Sequence, residues 1–128
     1  MIVMKFGGTS VEDATAIRRV ASIVGRQLSR QPVVVVSAMG RTTNGLIECA
    51  RMAAAGDLRR ARNRLDEIAA HHFKTAEQLA PQHELESLRE ALGGRFAAIH
   101  STLEEISQTG REGGLTPRLS DAVSSNGE

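Results

Sequence analysis

Four consecutive valines, Val33 to Val36, follow Pro32 and restrict the fold more than any other stretch of the chain. Successive strand residues point to opposite faces, so an unbroken β-branched run is apolar on both. It predicts a strand covered on both sides, as in a parallel sheet with helices on each face. Ile2, Val3 and Met4 read as a second short buried strand. Between the two, Val11, Ala14, Ile17, Val20, Ala21, Val24 and Leu28 recur at helical spacing, with the helix ending at residues 29–31. Strand, helix and strand make a βαβ unit, whose crossover is right-handed.

Ligands of open α/β sheets bind beyond the carboxyl ends of the strands. The first strand leaves through Lys5-Phe6-Gly7-Gly8-Thr9-Ser10, and the second through Ser37-Ala38-Met39-Gly40-Arg41-Thr42-Thr43-Asn44. Parallel strands bring both turns to one sheet edge. Gly7 and Gly8 permit positive φ and leave room for a ligand to approach the backbone. The helix start that follows offers free N–H groups and the positive end of a dipole. Lys5 adds a full charge, and Thr9 and Ser10 can cap the helix, Thr9 together with Glu12 in a capping box. A polyphosphate suits these groups, although the hexapeptide alone is equally compatible with a plain strand-to-helix turn bearing a solvated lysine. Neither the Walker A spacing nor the Gly-x-Gly-x-x-Gly fingerprint is present.

Beyond Asn44 the pattern is helical. Leu46, Ile47, Cys49, Ala50 and Ala53 form a first segment, stopped by Gly56 and recapped at Asp57. Leu58, Ala61, Leu65, Ile68, His72, Ala76 and Leu79 make one stripe, closed by Pro81. Leu85, Leu88, Leu92, Phe96, Ile99, Leu103 and Ile106 make another, interrupted by Gly93-Gly94. The two stripes predict a long antiparallel helical hairpin. Thr109-Gly110-Arg111-Glu112-Gly113-Gly114 reads as a loop. Thr116-Pro117 then reads as a cap with proline at the first helical position, and Leu119, Ala122 and Val123 begin a buried face. Two strands and five helical segments cannot close a doubly wound sheet. Either a second copy pairs with this one, or further strands lie after Glu128.

Composition narrows the function. A chain of 128 residues can bury a core without disulfides, and a net charge of +1 supplies no field for nucleic acid or a membrane surface. Aromatic residues are 2% of the chain, too few for base-stacking platforms. No apolar run reaches membrane-spanning length and no leader pattern follows Met1, so a cytoplasmic location is expected. The single cysteine, Cys49, excludes a disulfide framework within the chain. His71 and His72 are adjacent on a helix and face different ways, His83 and His100 lack partners at ligand spacing, and no metal site is assigned. His72 reads as a hydrogen-bonded core histidine. Arg59, Arg60, Arg62 and Arg64 alternate with Asp57, Asp66 and Glu67 as a solvated face.

Three stretches taken in order carry a resemblance: residues 3–11, residues 33–44, and Leu115-Thr116-Pro117-Arg118 through Gly127-Glu128. Together they resemble the aspartate kinases of the amino acid kinase family. The resemblance implies an α/β fold in which residues 1–128 are the N-terminal part of the catalytic domain. That domain is a three-layer αβα sandwich, represented here by a parallel βαβ unit plus the long helical hairpin. It implies transfer of the γ-phosphoryl group of ATP to the β-carboxylate of L-aspartate, with Mg2+, in a homo-oligomeric cytoplasmic enzyme of amino acid biosynthesis. By position, Lys5 would act in catalysis. Lys5, Gly7, Gly8, Thr9, Ser10, Ser37 and Gly40 would line the phosphate site, and Thr43 and Glu128 would hold aspartate. The nucleotide-binding half, the regulatory domains and a complete Mg2+ site have no counterpart, so a truncated and inactive piece is expected. Arg41 stands where the family usually has a second glycine and Asn126 where it often has an aromatic; Arg41 either contacts phosphate or obstructs it. Two rival readings are another amino acid kinase, acting on N-acetylglutamate, glutamate or a nucleoside monophosphate, and a non-enzymatic assembly module.

Overall fold

The computed structural model describes residues 1–113 and 116–127, the side chains of residues 111–113 excepted. It divides into two compact units, residues 1–41 and 42–128.

In the first unit, β1 (Ile2–Phe6) and β2 (Pro32–Val36) pair in parallel, from Ile2 opposite Pro32 to Phe6 opposite Val36. A 3-10 turn (Gly8–Val11) and helix α1 (Ala14–Gly25) follow β1, and a second 3-10 turn (Leu28–Arg30) leads into β2. Gln31, at φ 49°, stands between that turn and the strand, its N–H donating to the Leu28 carbonyl. The βαβ unit is as expected. Three of its details differ from the sequence reading.

The expected capping box of Thr9 and Glu12 does not start α1. Asp13 does, accepting from the Ala16 amide at 2.8 Å. The chain first makes one tight 3-10 turn, which places the α-helix start four residues later than the hydroxyl pair. Second, α1 stops at Gly25, so Leu28 lies outside it and is exposed. Third, the valines of β2 are not covered on both faces: Val33 to Val36 are 39–54% exposed. On β1 the half-buried Ile2, Met4 and Phe6 alternate with exposed Val3 and Lys5, so one face is covered and the other is bare. A strand is covered on both faces only when layers pack on both sides, and a two-stranded ribbon lacks them.

The second unit is helical. Helices α2 (Thr42–Ala54), α3 (Leu58–Leu79), α4 (Gln82–Gly113) and α5 (Pro117–Ser124) are followed by a 3-10 turn (Ser125–Gly127). Each helix contributes a stripe to one core: Leu46, Cys49, Ala50 and Ala53 from α2, Ala61, Leu65 and Ile68 from α3, Phe96, Ile99, Leu103 and Ile106 from α4, and Val123 from α5. The α2 break falls at Gly56, at φ 87°, and Asp57 caps α3 by accepting from the Arg60 amide. Thr116 caps α5 through the Leu119 amide, with Pro117 at the helix start.

The hairpin is antiparallel, since an Arg62–Glu104 ion pair and an Asp66–His100 hydrogen bond join early α3 to late α4, and a Glu77–Arg89 ion pair joins late α3 to early α4. Two expectations about α4 fail. Gly93 and Gly94 do not interrupt it, and residues 109–113 are helical rather than a loop, while Gly114 lies outside the described residues. Thr109 returns its hydroxyl to the Glu105 carbonyl at 2.9 Å, and Gly110 packs on α2 so closely that a β-carbon there would stand 2.8 Å from the Ala54 carbonyl oxygen. Close packing outweighs the low helix propensity of glycine. Arg64 pairs with Glu48 and Glu67, so the arginine-rich stretch of α3 is an ion-paired, partly solvated face.

Candidate phosphate-binding edge

Both strands of the first unit end on the same edge, and the two loops leaving them are tied together by backbone hydrogen bonds. Ser37 N–H donates to the Phe6 carbonyl at 3.0 Å, continuing the ladder by one step, and Gly40 N–H donates to the Gly8 carbonyl, also at 3.0 Å. Gly40 has φ 48°, in the left-handed region that glycine tolerates best.

The two glycines of the first turn have different surroundings. Gly7 has φ −77° and ψ 175°, an extended conformation open to any residue, and neither Gly7 nor Gly8 has positive φ. The expectation of positive φ at this pair is therefore corrected. A β-carbon on Gly7 would meet nothing within 4 Å. On Gly8 it would stand 2.9 Å from the Gly40 carbonyl oxygen and 3.3 Å from that of Ala38. Gly8 is glycine because the second loop presses against it, and Gly7 faces open space.

Donors follow from the same geometry. The amides of Ser37 and Gly40 are committed to loop pairing, and Ser10 N–H closes the 3-10 turn on the Gly7 carbonyl at 3.0 Å. The amides of Gly8 and Thr9 open that turn, where no acceptor exists within it. Thr9 and Ser10 are exposed and Ser37 is half-buried. The positive end of α1 is not at this turn, because α1 begins at Ala14 under the Asp13 carboxylate. Lys5 brings a cation to the edge, exposed on the bare face of β1 one residue before the strand ends.

Of the residues singled out from sequence, Lys5, Gly7, Gly8, Thr9, Ser10, Ser37 and Gly40 thus fall within the first unit, on its two joined loops and the strand end beside them. Thr43 belongs to the second unit, in the first turn of α2. Glu128 lies outside the described residues. Sequence reasoning missed two contributors. Asp13 had a signal, an acidic residue directly before a helical Ala-Thr-Ala run. Ala38, 4% exposed, had none, because its burial follows from contact with a turn 30 positions earlier.

Two titratable groups of the helical unit, His72 and Cys49, are shifted by burial. Burial pushes the His72 imidazole down in pKa, and its Nδ1–H donates to the Ile68 carbonyl at 2.8 Å, as expected of a core histidine. Burial pushes the Cys49 thiol up to about 11. No described helix is long and apolar enough to cross a membrane. Among the described residues, no group of three His, Cys, Asp or Glu side chains could hold a metal ion.

A parallel strand pair with two joined, glycine-bearing loops at its carboxyl edge is the start of an α/β fold, and the family model described as "Amino acid kinase family" matches residues 1–123. The chain belongs to the amino acid kinase family. Within it, the similarity is to aspartokinases. A chloroplastic aspartokinase 2 of Arabidopsis thaliana is 34% identical, the match covering 98% of this chain and 22% of that protein. The aspartokinase of Mycolicibacterium smegmatis is 49% identical over 53 residues, which are 40% of this chain and 13% of that one. E. coli aspartokinase III, solved in complex with aspartate and ADP, superposes with a TM-score of 0.81 at 31% identity, covering all of this chain and 26% of the solved one. The chain spans about a quarter of the length of that structure and about a fifth of the Arabidopsis relative.

Proposed function

We propose that the chain is the N-terminal part of an aspartate kinase catalytic domain, and that its two joined loops form the phosphate-facing half of a phosphoryl-transfer site. The observation that carries this reading is the edge itself. Lys5 is exposed beside a turn that keeps its Gly7 side open and its first amides unpaired within the turn, and this turn is hydrogen-bonded to the loop leaving the neighbouring parallel strand. The likeness to aspartokinases, one of them solved with aspartate and ADP, supports L-aspartate and ATP as the substrates.

The chemistry asks little covalent work of the protein. An aspartate β-carboxylate has a reference pKa of about 3.9, so it is ionised at neutral pH and requires no general base. Its obstacle is a second anion, the γ-phosphate. Lys5 offsets that repulsion; the Gly8 and Thr9 amides and the Thr9, Ser10 and Ser37 hydroxyls are the donors assigned to the phosphate, with Gly7 and Gly40 lining its path. Thr43 and Glu128 are assigned to aspartate. The γ-phosphorus–oxygen bond to ADP breaks as the carboxylate oxygen bonds to phosphorus, giving 4-phospho-L-aspartate and ADP. The described residues form no protein cage for Mg2+. That ion is assigned to the ATP phosphates, its usual mode in phosphotransferases. A cytoplasmic homo-oligomer in lysine, threonine and methionine synthesis completes the reading.

Lys5→Ala in the enzyme that carries this chain is expected to lower kcat by about 100-fold or more, with the thermal midpoint unchanged because the side chain is exposed. Coupled detection of ADP release with L-aspartate as acceptor measures it. Wild-type turnover in the variant removes Lys5 from the mechanism. Turnover with N-acetylglutamate or glutamate instead of aspartate assigns a different branch of the family.

A further inference from the structure

Arg41 ends the second loop, and nothing so far gives it a task. Its position is fixed by the backbone. Gly40 is held to Gly8 by the 3.0 Å hydrogen bond and turned by its φ of 48°, and Arg41 is the next residue, one peptide of about 3.8 Å further on. It lies in the same compact unit as Lys5 and the glycine turn. Arg41 is exposed and has no carboxylate partner among the described residues. The acidic residue shown beside Gly40 is Glu12, whose β-carbon would be 3.4 Å from one built on Gly40. Glu12 already has an interaction of its own.

We propose that Arg41 is a second phosphate-binding cation, delivered to the Gly7 opening by the Gly8 to Gly40 hydrogen bond and complementing Lys5 from the other loop. This assignment rests on the phosphate-edge reading above. A guanidinium presents a planar fork of donors that matches two phosphate oxygens at once, whereas an ammonium acts as a point charge. The ligand class is therefore a polyphosphate bearing at least two adjacent phosphoryl groups, one for each cation.

The probe is inorganic tripolyphosphate, titrated calorimetrically into the protein, its Arg41→Ala and Arg41→Lys variants, and Lys5→Ala. Arg41→Ala is expected to weaken binding about tenfold, the loss of one charge-assisted pair of hydrogen bonds. Arg41→Lys should fall between it and the unsubstituted protein, and the difference should shrink at high salt. Equal or tighter binding in Arg41→Ala, alongside weakened binding in Lys5→Ala, overturns the Arg41 assignment and leaves the phosphate edge standing. Absence of binding by the unsubstituted protein overturns the phosphate edge, and the role of Arg41 with it.

Discussion

Two adjacent glycines that look interchangeable in the sequence differ in what surrounds them. Gly8→Ala drives a methyl group against two backbone carbonyl oxygens, which cannot rotate away. It should destabilise the protein by about 1–3 kcal/mol. Gly7→Ala places its methyl in open space at a φ and ψ that alanine adopts freely, and should change stability by less than about 0.5 kcal/mol. Urea midpoints of the two variants test the contrast, and equal losses would refute it. A fall in tripolyphosphate affinity for Gly7→Ala, without loss of stability, would then read the ligand directly. The glycine pair itself was legible in the sequence, and so was the strand-to-helix change around it. Which glycine serves the fold was not, because the deciding atoms belong to Ala38 and Gly40, brought there by pairing of distant strands.

At the scale of elements, α4 provides a similar comparison within one helix. Gly93 and Gly94 have nothing within 4 Å of a built β-carbon, whereas Gly110 is closed in by Ala54. Alanine at 93 or 94 should stabilise the protein by about 0.5–1 kcal/mol each, through lower backbone entropy in the unfolded chain. Alanine at 110 should destabilise by about 1–3 kcal/mol despite the same gain in propensity. Thermal midpoints moving in opposite directions are the expected result. The apolar stripes of α3 and α4 were readable because Leu65, Ile68, Phe96, Ile99, Leu103 and Ile106 repeat at helical spacing and all reach the core. The end of α4 was not. Thr109 and Gly110 carry loop composition, and what holds Gly110 in the helix is its close approach to Ala54 of α2.

For the molecule as a whole, His72 makes one contribution to stability that depends on pH. Its pKa is lowered in the folded state by burial, the Ile68 hydrogen bond opposing and nearby His71 reinforcing that shift. Below the unfolded pKa near 6.5 the unfolded chain binds a proton that the folded one resists. Stability is thus full above about pH 6.5, declines as pH falls from there through the lowered folded pKa, and levels off below it. His72→Leu should flatten this part of the profile, measured as urea midpoints between pH 7.5 and 4.5; an unchanged slope would exclude His72 as its source. The α/β class was legible from the valine run and the helical spacing between the strands, but the burial of that run was misjudged, since a residue pattern records the layers a strand is suited to and the exposed valines show which layers these residues supply. The strand pairing has a kinetic side as well. Every rung of the β1 and β2 ladder joins residues 30 positions apart, as Ile2 with Pro32, so closing it costs about 3 kcal/mol of chain entropy, whereas the backbone hydrogen bonds of α2, α3 and α4 are local. The amides bonded in the β1–β2 ladder are accordingly expected to exchange with deuterium sooner than those around Leu65 and Leu103, which are retained until the helical core opens.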